Sequence, residues 1–167
     1  MVRTETVLES WKTVRQDAAL AVEEFPAAEL GFRPTPEVMS FREIARHIVD
    51  AGHGLTGLLL EGVENFQTPA FREMLGRHFW GLPEEPTSQM LAAALRESIE
   101  KRTAELAAQP AEFFSRLLTR MDGQRVTRLE MLQFVKEHEL THRSQLFLYM
   151  RLKGLMPPTT RRRMAQQ

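Results

Sequence analysis

The sequence predicts an all-α protein: a bundle of four long amphipathic helices with one short extra helix. Three observations carry that prediction. Apolar residues recur at three- and four-residue spacing through four long segments, the period of a helix with one buried face. Three of the four segments open on capping residues, and all four close on glycine or proline. No stretch alternates at period two for long enough to build a sheet. Four such helices bury their apolar stripes most simply against one another.

The first helix is expected from about Thr4 to Phe25, with Val7, Leu8, Trp11, Val14, Arg15, Ala18, Val22 and Phe25 on one face and Pro26 just beyond. Residues 27–39 read as a linker. Pro34 and Pro36 push the residues before them toward extended geometry. The second helix starts at Ser40, whose hydroxyl and the Glu43 carboxylate make a capping box, and reaches about Leu60. At about 100° per residue, Ile44, Ile48, Ala51, Leu55, Leu58 and Leu59 form its apolar stripe. His47 lies at the edge of that stripe. His53 falls on the polar side and is expected to face solvent. Asp50 flanks His47. It is a candidate to hold a ring N–H of that histidine, against the alternative of an exposed helix carboxylate.

Thr68-Pro69 opens the short extra helix, which carries Phe71, Met74, Leu75, His78, Phe79 and Trp80 and roofs one end of the bundle, with His78 at the rim. The third long helix runs from a Thr87 cap to Gln109, stopped by Pro110; it has no histidine and offers packing. Residues 111–126 read as a short helix or an irregular loop, with Asp122-Gly123 as a turn signal.

The fourth long helix spans Thr127 to Gly154. Thr127 and Glu130 form a second capping box, and Gly154 with Pro157-Pro158 ends the helix. Met131, Phe134, Val135, His138, His142, Gln145, Tyr149 and Leu152 share its inward face. A second apolar strip, Leu129, Leu132, Leu140, Phe147 and Met150, lies opposite. A helix that is apolar on two sides is packed on two sides, so a homodimer is expected.

The 167 residues suit a single domain, residues 1–167, long enough to bury a core without disulfides or a structural metal. There is no cysteine, which excludes disulfides, thiolate metal sites and a cysteine nucleophile. Lysine plus arginine equals aspartate plus glutamate at 22 each, which argues against nucleic acid as a partner. Arg161, Arg162 and Arg163 read as a solvated terminus. No apolar run approaches the roughly 20 residues of a membrane span, and the acidic, amphipathic start is unlike a signal peptide. A soluble cytoplasmic protein is the expectation.

His138 and His142 stand one turn apart on a face that should be buried. Buried imidazoles need partners for both nitrogens, and a divalent metal can serve two at once; a hydrogen-bonded core pair is the alternative. Residues 138–142 read H-E-L-T-H, the metalloprotease pattern in which Glu139 would be the general base. That pattern takes a third ligand from downstream, and no aspartate or glutamate follows Glu139 and no histidine follows His142. The best-placed third ligand is His47, on a different helix. Three histidines would leave coordination positions open to water or substrate.

Two blocks resemble the DinB/YfiT-like metalloenzymes: LGFRPTPEVMSFREIARHIVDAG, Leu30 to Gly52, and HELTHRSQLFLYMRLKGLMPP, His138 to Pro158. The resemblance implies an up-down-down-up four-helix bundle, usually dimeric, with a divalent metal, often nickel or zinc, on His47, His138 and His142. Ser144 stands where many members have glycine. The family includes S-transferases that use low-molecular-weight thiols and a mycothiol-dependent maleylpyruvate isomerase, so a thiol cosubstrate is implied as well. The leading expectation is an enzyme activating a small thiol or water against a small electrophile, with Gln145, Tyr149 and Glu139 as candidate catalytic residues. The alternatives are a non-catalytic dimeric metal-binding bundle with a structural or stress-related role, and a protein whose three histidines are satisfied core groups.

Overall fold

A computed structural model describes residues 3–166. The long helices are α1 (Thr4–Glu24), α2 (Phe41–Leu60), α4 (Ser88–Ala107) and α6 (Arg128–Leu152). Three short helices join them: α3 (Phe71–Gly76), α5 (Ala111–Ser115) and α7 (Pro158–Ala165). The fold is the mostly helical four-helix bundle that the periodicity predicts.

Cross-helix polar contacts fix the directions. On α1 and α4, Lys12 pairs with Glu100 at 2.7 Å and Glu23 with Arg96 at 2.8 Å, so the two run antiparallel. On α1 and α6, Arg15 pairs with Glu139 and Asp17 with Arg143, so these run parallel. Arg15 also reaches Ile48 O on α2 and Ser98 on α4, while Arg102 on α4 reaches His53 O, so α2 and α4 are parallel. The order is up-down-down-up. Parallel neighbours need a return path along the bundle. Residues 61–87, carrying α3, provide it over the roughly 30 Å that a 20-residue helix spans.

Both capping boxes form. Ser40 Oγ accepts from Glu43 N–H and Glu43 Oε2 accepts from Ser40 N–H at 2.6 Å; Thr127 and Glu130 do the same, with the reciprocal bond at 2.7 Å. Residues 111–126, open in the sequence, become α5 and a hairpin of β1 (Leu117–Thr119) and β2 (Arg125–Thr127), paired Leu117↔Thr127, Leu118↔Val126 and Thr119↔Arg125. Gly123 turns it with φ +82°, a conformation glycine adopts freely. The expectation of no sheet fails for this hairpin because three-residue strands are too short to show alternation. α6 ends at Leu152, ahead of Gly154 and Pro157-Pro158 as expected, and the proline pair then opens a further short helix: Pro157 is the N-cap residue of α7 and Pro158 takes its first turn, where no N–H is needed. The arginine-rich tail is likewise engaged, with Arg162 on Asp17 at 2.7 Å and Arg161 on Glu24.

The apolar core divides in two. One part gathers Ala18, Val22, Phe25, Ile44, Ile48, Leu91, Leu95, Leu146 and Met150. The other gathers Val7, Leu8, Trp11, Leu55, Leu58, Ile99, Leu106, Leu132 and Val135. Between them lies a polar layer at Arg15, His47, residues 50–54, Ser98 and residues 138–143. Leu132, Phe147 and Met150, from the second strip of α6, are buried in these clusters alongside residues of α1. The reason for expecting a homodimer is therefore met largely within one chain. Leu140 remains exposed, as does Leu152, which the helical wheel placed on the inward face.

Candidate metal centre

The polar layer brings together His47 from α2 and His138 and His142 from α6. His47 Nε2 lies 3.2 Å from His138 Nε2, and His142 Nε2 lies 3.1 Å from the same atom. The antiparallel pairing of α2 and α6 makes this possible, because residues one turn apart on α6 straddle a single position on α2. The rings are mutually tilted, at 66° for His47 and His138 and 75° for His138 and His142.

Proton bookkeeping describes the cluster. His142 Nδ1–H donates to Gln145 Oε1 at 2.7 Å, an oxygen that can only accept, so His142 Nε2 presents a lone pair. A proton on His138 Nε2 could serve one of its two Nε2 neighbours but not both. No acidic side chain joins these nitrogens to supply a counter-charge: the metal-capable group among the described residues consists of the three histidines alone. Burial and the neighbouring imidazoles push His138 down to about 4 and lower His47 as well, so both are neutral near pH 7, the form that ligates a metal. A tetrahedral ion with bonds of about 2.0–2.1 Å separates its ligand nitrogens by roughly 3.3 Å. The observed separations fit. His138 Nδ1 is buried without a partner.

The remaining candidates lie elsewhere. Glu139 points away from the imidazoles. Fully buried, it forms a two-pronged pair with Arg15, whose Nε donates to Glu139 Oε2 at 2.9 Å and whose Nη1 donates to Ser98 Oγ at 2.6 Å. The H-E-L-T-H sequence thus leaves its carboxylate tied to Arg15 and outside the group of three histidines, against the literal metalloprotease reading. Gly52 makes room for this pair: a Cβ there would lie 2.6 Å from Arg15 Nη2 and overlap Glu139 Oε1. Tyr149 O–H donates to Met39 O at 2.8 Å, tying α6 to the linker before α2. Gln145 alone among the three candidate catalytic residues touches a cluster histidine.

Asp50 does not hold a ring N–H of His47. It is buried, accepting from Trp80 N–H and Arg46 Nε, each at 3.3 Å, and burial raises its pKa. His53, expected in solvent, is buried edge-on to Trp80, with ring centroids 4.9 Å apart. Burial foremost, helped by Arg102, lowers it to about 3. The reason is the chain after α3, which folds Trp80 over the polar side of α2. His78 is partly buried, with Nε2 3.0 Å from Glu61 Oε1. It lines a depression of about 530 Å³ with Gly57, Arg102 and Glu105, which includes none of the three clustered histidines. Sequence reasoning missed Arg15 as an anchor of this layer. The signal was present: an arginine inside the apolar repeat of the first helix needs a buried partner.

A four-helix bundle holding three convergent histidines in its central layer defines the class. The sequence model of the DinB family matches residues 1–167, and the chain belongs to that family. YjoA of Bacillus subtilis (strain 168), an uncharacterized protein, is 29% identical over 126 residues, or 74% of this chain and 73% of YjoA. The crystal structure of this DinB-like YjoA superposes with a TM-score of 0.67 at 23% identity, covering 89% of this chain and 92% of that one. YfiT from Bacillus subtilis, named a probable metal-dependent hydrolase with an unusual four-helix bundle topology, gives 0.66 at 18% identity, covering 93% and 91%. A mycothiol-dependent maleylpyruvate isomerase gives 0.64 at 14% identity, covering 87% of this chain and 61% of that one. These structural likenesses are likenesses of fold.

Proposed function

We propose that this protein is a metal-dependent enzyme that uses His47, His138 and His142 to hold a divalent ion, nickel or zinc as the family resemblance implies, and acts on a small electrophilic substrate. The observation that carries the reading is the convergence of three Nε2 atoms with too few protons to satisfy one another and no carboxylate to balance a charge. When bound, such an ion lowers the pKa of a coordinated water or thiol or polarises a carbonyl. The chain's own contribution is positioning. Gln145 holds His142 in the tautomer that turns its Nε2 lone pair inward. The neutral state of His47 and His138 keeps ligation free of competition from protons near pH 7. Three protein ligands leave room for substrate, the pattern of catalytic sites more than of structural ones.

YfiT's description favours water as the nucleophile; the isomerase's dependence on mycothiol favours a low-molecular-weight thiol as cosubstrate. One assay separates the two. Metal-loaded protein is offered activated esters and amides with and without a simple thiol, before and after chelation. Turnover that disappears on chelation and returns on reloading is the expected result. Thiol dependence of that turnover selects transfer over hydrolysis. Full metal loading with no turnover on any substrate would support the non-catalytic metal-binding bundle instead.

A further inference from the structure

A cleft lies one to two turns beyond His142 toward the C-terminus of α6. Ile44 lies three residues before His47 on α2, and Gln145, Leu148 and Tyr149 lie three, six and seven residues after His142 on α6. Together with Pro34, Thr35, Val38 and Met39 of the linker they enclose a cleft of about 250 Å³. None of these lining residues is charged. Gln145 belongs to both places: its Oε1 accepts from His142, and its side chain forms part of the cleft wall. The floor is fixed, because Tyr149 O–H is bound to Met39 O and its ring is buried. Arg33 and Glu43, whose charges reach Tyr149, pair with each other at 3.1 Å. Two large apolar side chains, Val38 at 40% and Leu148 at 51%, stay exposed at the mouth.

We infer that this cleft seats an uncharged apolar group of the substrate, a short alkyl chain or a single aromatic ring, whose reactive head is presented to the three histidines. The inference rests on the enzymatic reading for the head of that substrate, though not for the cleft. The volume is too small for a helix or a folded partner and suits a small-molecule substituent. A charged substituent would lose its hydration with no lining charge to replace it. An apolar one gains by covering Leu148 and Val38. The cleft therefore selects against acidic or zwitterionic bodies and assigns specificity to the linker before α2 as well as to α6.

Two arms test this. In the first, metal-free protein labelled at methyl groups is titrated with 1-hexanol and followed by carbon-13 NMR. Saturable shifts confined to Val38, Met39, Ile44 and Leu148 are expected, and their loss in Leu148→Glu, whose unfolding temperature is checked separately. Shifts absent from these methyls, or spread evenly through the core, overturn the inference. In the second, zinc-loaded protein is titrated with alkyl hydroxamates from acetohydroxamate to hexanohydroxamate, and with the succinate monohydroxamate. Affinity should rise about fourfold per added methylene, the acidic tail should gain nothing, and Leu148→Glu should flatten the slope. A flat slope in the native protein overturns the inference. Failure to load zinc would sink the enzymatic reading, while the first arm would still decide the cleft.

Discussion

His138 and Glu139 are adjacent residues on α6, and each belongs to a polar cluster in the layer between the two apolar cores. The clusters are built on opposite principles. Around Glu139, every charge is answered. Arg15 meets the carboxylate with two nitrogens, and its remaining donors reach Ser98 Oγ, Leu95 O and Ile48 O. That cluster binds all four long helices to one another. Around His138, imidazole nitrogens face imidazole nitrogens and one ring nitrogen has no partner at all. A saturated buried network holds a fold together; an unsaturated one, in a protein that folds around it, waits for something to bind.

Breaking the saturated cluster should have the largest effect on stability. Glu139→Gln leaves Arg15 buried with its charge unanswered, and loss of about 3–5 kcal/mol is expected in urea unfolding. Metal content of the folded fraction should stay at the native level. A general-base role for Glu139 would instead give a stable, metal-loaded and inactive protein, which would invert the comparison.

His53 sharpens the contrast as a buried imidazole packed on Trp80, outside either cluster. Its pKa in the folded protein, about 3, lies below the 6.5 of an unperturbed histidine. The unfolded chain therefore takes up the proton first. The stability tied to a neutral His53 is complete above about pH 6.5 and declines as the pH falls toward 3. At about 1.4 kcal/mol per unit of displacement, a few kcal/mol should be lost across that window in metal-free protein. In His53→Leu this part of the slope should vanish; an unchanged slope would show that His53 is not responsible.

Gln145 separates holding from folding. Gln145→Leu removes the acceptor that orients His142, and metal affinity should fall about 10–100-fold, measured by competition with a chromophoric chelator. The unfolding free energy of the metal-free form should change by less than about 0.5 kcal/mol, since the side chain is largely exposed. A large stability loss with unchanged affinity would move Gln145 into the structural class.

The long helices and their starts were legible in the sequence because caps and three-four spacing are local. Ser40 with Glu43 and Thr127 with Glu130 are readable without tertiary knowledge. The meeting of His47, His138 and His142 was legible for a related reason: each stands on or beside an apolar stripe, and stripes meet in a bundle. What failed was whatever depends on a segment crossing over. His53 was assigned to the polar side of α2 and Asp50 to the flank of His47, and Trp80 arrives over both from a part of the chain with no helical period. Arg15 and Glu139 find each other across the bundle, at positions whose partners no local pattern announces. The hairpin at residues 117–127 escaped because its strands are shorter than the alternation that reveals a strand.

The most direct test is elemental analysis of protein purified without an affinity tag, for the native chain and for His47→Ala, His138→Ala and His142→Ala. The account predicts about one divalent ion per native chain and a large loss of bound metal in each variant, with all four proteins folded. Native-level metal in His47→Ala, or a native chain that takes up no divalent ion when folded and supplied with it, would contradict it.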